Sequence, residues 1–207
     1  SMMLGTAGLT AALSIQELIE SDVTPDFGPI LVTGATGGVG SLAVAMLAKA
    51  GFSVTAVTGK MDQEDYLKGL GAERVISRET LMTGSDRPML KTTWAGVIDC
   101  VGGEMLATAI KSTVYDGVVT CCGLVGSIDI PINVFPFILR GVRLIGIDSV
   151  EMAMSKRVSV WQRMASDWKL KNMEEMVDEV GLDGLEEKIQ GMLKAQLKRK
   201  VLVNLQN

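Results

Sequence analysis

The chain has 207 residues, 47% of them apolar and 21% charged. That is a globular composition with ample material for a core, and it excludes disordered and collagen-like classes. Twenty lysines and arginines stand against 24 aspartates and glutamates, and the net charge of −4 leaves no footprint for a polyanion, so nucleic acid is not an expected partner. With no histidine, the chain can form neither a Ser-His-Asp or Cys-His triad nor a zinc site built on imidazole. No run is long and apolar enough to span a bilayer and no signal peptide is visible, so no membrane partner and a cytoplasmic setting are expected. Cys100, Cys121 and Cys122 lie in apolar runs and form no CxxC pair, and they read as buried, reduced thiols.

Ser1-Met2 ahead of Met3 reads as an expression remnant, so the fold is taken over residues 3–207. Gly5 to Ile19 predicts a helix, with Gln16, Glu17 and Glu20 as its polar side. Ile30–Thr33 is a strand, Gly38–Ala50 an apolar helix stopped by Gly51, and Ser53–Thr58 a β-branched strand. A short helix over Gln63–Leu70 and a brief strand over Arg74–Ile76 follow, and Arg78 to Thr93 reads mostly as connection. Ala95–Cys100 is a strand, Gly103–Ser112 a helix and Gly117–Cys122 a strand. Then come a short helix over Val134–Leu139 and a strand over Arg143–Ile147. Ser155–Trp168 and Leu185–Leu197 are helical, and Lys200–Leu205 is a final strand. Strands alternating with helices predict an α/β fold, a doubly wound parallel sheet of Rossmann type and order 3-2-1-4-5-6, with helices on both faces. The near-continuous apolar strands agree, because both faces of such a sheet are covered.

The informative string is Ile30-Leu31-Val32-Thr33-Gly34-Ala35-Thr36-Gly37-Gly38-Val39-Gly40, which follows a strand and opens a helix. Glycines there permit a tight turn and close approach of a pyrophosphate to the backbone, and the helix N-terminus offers free N–H groups. A carboxylate about 20 residues further on would hold the ribose hydroxyls of NAD. The second strand instead ends in Val57-Thr58-Gly59-Lys60. A hydroxyl and a positive charge suit a 2′-phosphate, so NADPH is expected over NADH, with Asp62 the rival residue for NADH.

The spacing Thr33-Gly34-x-x-x-Gly38-x-Gly40 also resembles that of short-chain dehydrogenases, which pair a catalytic tyrosine with a lysine four residues later. Tyr66 and Tyr115 are followed at that distance by Leu70 and Val119, so this reading is rejected. The chain more closely resembles the medium-chain dehydrogenase/reductase superfamily, in its zinc-free, quinone-oxidoreductase-like branch that includes acryloyl-CoA reductases. Gly5-Thr6-Ala7-Gly8-Leu9-Thr10-Ala11, the phosphate turn, Leu70-Gly71-Ala72 and Asp99-Cys100-Val101-Gly102-Gly103 carry the likeness. Pro136-Phe137-Ile138-Leu139-Arg140-Gly141 and Gly146-Ile147-Asp148-Ser149-Val150 are its most branch-specific strings.

The resemblance implies roles. Thr36, Gly37, Gly38 and Val39 would hold the pyrophosphate, and Thr58 and Lys60 the 2′-phosphate. Cys122, Gly123 and Leu124 would line the nicotinamide side, with Thr6 near its carboxamide. Ser149 and Arg140 would reach toward the substrate, and no catalytic acid or metal ligand is assigned. The resemblance implies that this sequence corresponds to the family's cofactor domain without its N-terminal barrel domain, so the expected function is that of the NADPH-binding domain of an oxidoreductase. Its small-molecule substrate would be an enone, an acryloyl-type thioester or a quinone. The alternative is a non-catalytic NADPH-binding or dimerisation module. The superfamily's habit of pairing the strand at Arg143–Ile147 across a two-fold axis implies a homodimer. The final strand is expected to lack its partner and present an edge, and the basic run Lys198-Arg199-Lys200 departs from the family pattern.

Overall fold

The computed structural model describes residues 2–171, 173–194, 197 and 199–205. The chain opens with helix α1 (Gly5–Glu20) and then alternates β1 (Ile30–Val32), α2 (Gly38–Lys49), β2 (Val54–Thr58), α3 (Glu64–Gly69), β3 (Arg74–Ser77) and α4 (Arg78–Met82). It continues with β4 (Trp94–Asp99), α5 (Gly103–Lys111), β5 (Thr113–Cys121), α6 (Phe135–Arg140), β6 (Arg143–Gly146) and α7 (Met154–Ala165). The last elements are β7 (Val177–Val180), α8 (Leu185–Leu193) and β8 (Lys200–Val203). Six strands pair in parallel in the order β3-β2-β1-β4-β5-β6, as the alternation of elements predicts.

Each central strand is buried on both faces, and its alternating side chains feed two cores. Ile30, Val32, Val54 and Ile98 pack with α1, α2 and α7 residues such as Ile15, Leu18, Met46 and Val160. Leu31, Val57, Val97 and Val119 pack with Leu106 and Ile110 of α5 and with Leu81 of α4. An ion pair between Lys156 and Glu17 fastens α7 to α1 at the surface.

The structure corrects several expectations. The stretch after Ser77 holds a short helix, α4, which the Ser77 hydroxyl caps by accepting from the Thr80 N–H at 3.2 Å. β5 begins at Thr113, with an irregular register between Trp94 and Gly96 and a positive φ at Asp116. Gln16 is buried rather than part of a polar face. The final strand has a partner: β8 pairs in parallel with β7 in a separate two-stranded sheet. Ser1, Lys198 and the predicted helical residues Ala195 and Gln196 lie outside the described residues.

Candidate functional site

The site is built where β1 ends and α2 begins. Gly34 sits at φ +60°, a conformation that favours glycine, and its carbonyl accepts from the Gly37 N–H at 2.9 Å to close the turn. The Ala35 N–H is tied to Val57 O at 3.0 Å, which fixes the turn to β2. A Cβ on Gly40 would lie 2.3 Å from Gly34 O, so only glycine lets α2 approach so closely. Gly37 caps α2 with no side-chain hydrogen bond and no acidic residue in the first turn, and Gly37 and Gly38 are exposed. The first amides of α2 are therefore not capped by any side chain, at the positive end of the helix dipole, which is the chemistry a phosphate requires.

A cleft of about 450 Å³ opens over this turn, lined by Thr36, Gly37, Gly38 and Lys60 on one side and by Met192, Leu197, Arg199, Lys200 and Val201 on the other. A larger cavity of about 560 Å³ lies between α2, α3 and Lys169, Leu170, Lys171, Glu175 and Met176, away from the turn. The smaller cleft is the better candidate because it holds the uncapped helix end. Lys60 Nζ donates to Leu197 O at 2.8 Å, and Lys200 Nζ donates to the carbonyls of Met3 and Leu4 at 2.9 and 2.8 Å. Burial lowers the Lys200 pKa. Thr58 is buried, 3.4 Å from the Thr36 hydroxyl, and its oxygen accepts from the Lys60 N–H at 2.9 Å. Asp62 accepts from Gln63 Nε2 at 2.9 Å and does not line the cleft.

Arg78, like the cleft-lining Arg199 and Lys200, was not read as a site residue from the sequence. Arg78 follows β3, and a Cβ on Gly59 would meet its Cζ at 2.8 Å, so the guanidinium lies directly over Gly59 between Thr58 and Lys60. The signal lay in strand pairing, since β2 and β3 set Thr58 opposite Ser77.

At the neighbouring strand end, buried Asp99 organises the next turn. Its carboxylate accepts from the Thr33 hydroxyl at 2.6 Å and from the Val101 and Gly102 amides at 3.2 and 2.7 Å. Burial raises its pKa, against the lowering effect of these hydrogen bonds. The Cys122 N–H donates to Asp99 O at 3.0 Å, and a Cβ on Gly123 would fall 2.0 Å from Cys100 O, so β5 leaves the sheet in close contact with β4. Leu124 is exposed on the loop that follows. Thr6 is exposed in the first turn of α1, where neighbouring Ala7 packs 3.7 Å from the Cβ position of Gly38. Ser149, beyond β6, accepts a hydrogen bond from the Thr10 hydroxyl at 3.1 Å. Val39 is half-buried in α2, and Thr6, Val39, Thr58 and Cys122 to Leu124 do not line the 450 Å³ cleft.

Arg140 does not belong to this region. Its guanidinium donates to Lys111 O, Thr113 O and Leu90 O at 2.9, 3.2 and 2.7 Å, all near the amino ends of β4 and β5. It is a structural clamp at the opposite edge of the sheet. Among the described residues, no group of three or more cysteine, aspartate or glutamate side chains is placed to hold a metal ion.

The sheet order and the glycine turn define a Rossmann-type protein whose strand-to-helix turn leaves the N-terminus of α2 without a side-chain cap. A family profile described as "Zinc-binding dehydrogenase" matches residues 38–166, and the chain belongs to that family. It is 46% identical over 206 residues to "Putative quinone oxidoreductase YhfP" of Bacillus subtilis, covering 99% of this chain and 62% of the relative. It is 42% identical to acrylyl-CoA reductase AcuI of Ruegeria pomeroyi, with the same coverage. The crystal structure of the Salmonella enterica yhdH oxidoreductase in complex with NADP superposes with a TM-score of 0.94 at 39% identity, over 98% of this chain and 62% of that one. The B. subtilis yhfP structure, with NAD bound, gives 0.94 at 45% with the same coverage. The chain thus spans about three-fifths of the length of these relatives. The quinone-oxidoreductase-like resemblance read from the motifs is confirmed.

Proposed function

We propose that this chain is the NADPH-holding part of an oxidoreductase that delivers hydride to an activated carbon–carbon double bond or to a quinone. The uncapped N-terminus of α2 over a cleft that also holds Lys60 carries the reading. Thr36, Gly37, Gly38 and Val39 hold the pyrophosphate, the Gly37 N–H staying in the turn on Gly34 O, and Thr58 and Lys60 face the adenosine end, joined by Arg78. Lys60, Arg199 and Lys200 line the cleft with no carboxylate among its described lining residues, and with Arg78 over Gly59 they favour a 2′-phosphate over a free ribose hydroxyl. Relatives are described with NADP and with NAD, so this local charge decides the preference. Cys122, Gly123 and Leu124 lie at the strand end suited to the nicotinamide, with Thr6 across the turn. When bound, the cofactor supplies the hydride.

A cytoplasmic homodimer through β6 completes the proposal. β6 is the last strand of the sheet, paired only with β5 among the described residues. Around α6, which packs against β5 and leads into β6, Val134, Phe135, Ile138 and Leu139 are exposed, an apolar strip. The function is tested by calorimetric titration of the chain with NADPH and with NADH. NADPH preference that is lost in Lys60→Ala supports it, and NADH preference refutes the 2′-phosphate assignment.

A further inference from the structure

Strand register sorts the three cysteines. β4 and β5 pair with Asp99 opposite Cys121, so Cys100 and Cys122 are the next residues along the two strands. Side chains alternate, and Cys121 packs with the α5 core while Cys100 packs with the α1–α2 core. Cys122 then shares a side with Cys100, and their sulfurs are 3.8 Å apart. Neighbouring strands about 4.8 Å apart fall within the Cα separation a disulfide accepts, and side-chain rotation together with a small approach of the strand ends closes the remaining gap to about 2.05 Å.

The two thiols are not equivalent. The contact between the two sulfurs lowers the Cys122 pKa, against burial and the nearby Asp99 charge, whereas the same contact and burial push Cys100 well above the usual thiol range. Cys122 is half-buried at the strand end, its Sγ 3.4 Å from Asp99 O, and it is the more readily ionised of the two thiols. Cys100 is placed to resolve whatever forms on it.

We propose that Cys100 and Cys122 are an oxidative modification site, a dithiol that hydrogen peroxide closes to a disulfide at the carboxyl edge of the sheet. The Cys122 thiolate attacks one peroxide oxygen, the O–O bond breaks, and a sulfenic acid forms as hydroxide leaves. Cys100 sulfur then attacks Cys122 sulfur. The S–S bond forms, the S–O bond breaks, and the hydroxyl departs with the Cys100 proton as water. In total the two thiols lose two electrons, and one peroxide is reduced to two waters.

Closure reshapes the crevice. A disulfide prefers Cβ atoms about 3.8 Å apart, closer than the strand spacing, so it draws the two strand ends together. Gly123 leaves no slack, because it already stacks on the Cys100 peptide. The displacement passes to the loop beyond it, which Gly126 N anchors to Val101 O at 2.8 Å. The effect on NADPH rests on the function proposed above.

The test exposes the reduced chain to hydrogen peroxide, maps its peptides without reductant, and titrates NADPH before, after, and again after dithiothreitol. The expected result is a Cys100–Cys122 cross-link, a Kd for NADPH raised about tenfold, and reversal by the thiol. Cys121→Ser keeps the cross-link, and Cys100→Ser leaves Cys122 oxidised alone. Absence of the cross-link, or one made through Cys121, overturns the proposal while NADPH binding by the reduced chain upholds the function. A cross-link that leaves the Kd unchanged overturns the effect on the crevice. A cross-link in a chain that never binds NADPH supports the modification site and refutes the proposed function.

Discussion

Replacing Gly40 with alanine places a methyl group 2.3 Å from Gly34 O and 2.8 Å from Ala35 Cα. The first contact is roughly 1 Å short of van der Waals separation, and both partners are backbone. Neither can yield without opening the turn, because Gly34 O holds Gly37 N and Ala35 N is held by Val57 O. Alanine gains about 1 kcal/mol in helix propensity, while overpacking of this kind costs about 1–3 kcal/mol. The net loss is therefore about 0–2 kcal/mol of stability. Cofactor binding suffers more, since α2 moves by a distance that breaks charge-assisted hydrogen bonds worth about 1.5–3 kcal/mol each, or about tenfold or more in Kd. Gly69→Ala is the control, because nothing lies within 4 Å of its Cβ position and it should be neutral or slightly stabilising. Urea unfolding and NADPH titration of both variants read the outcome. A Gly40→Ala protein as stable and as tightly binding as Gly69→Ala refutes the close-approach argument.

Other outcomes follow from the same geometry. Arg78→Ala should weaken NADPH about tenfold, as expected for one charge-assisted hydrogen bond, and leave NADH unchanged in parallel titrations. Arg140→Ala removes donors to three carbonyls and should cost about 2–3 kcal/mol in urea unfolding, with cofactor affinity unaltered. Asp99→Asn loses acceptor capacity toward Thr33, Val101 and Gly102 and should cost about 1–3 kcal/mol. Because burial raises the Asp99 pKa, its favourable contribution is full below the unfolded value near 3.9 and is lost as pH rises through the higher folded value. The wild-type advantage over the asparagine variant should narrow across that window in pH-dependent unfolding.

The six-stranded sheet was legible because its core strands are short apolar runs separated by helices, a pattern with few topological solutions. The phosphate turn was legible because its glycines answer to local sterics at Gly34 and Gly40. What escaped depends on contacts between distant segments. Val177–Val180 carries two carboxylates in four residues and does not read as a strand until β8 is beside it. Arg78 joins Thr58 and Lys60 through the β2–β3 register. Arg140 looked like a free charge near the site, but its partners come from Leu90, Lys111 and Thr113. The Cys100–Cys122 contact likewise exists only through the pairing of β4 with β5.

The central claim is that the α2 turn and its cations hold a 2′-phosphorylated dinucleotide. Calorimetric titration of wild type and Lys60→Ala with NADPH and NADH tests it most directly. The account predicts tighter binding of NADPH by wild type and loss of that preference in the variant. Tighter binding of NADH, or a preference that Lys60→Ala leaves intact, would contradict it.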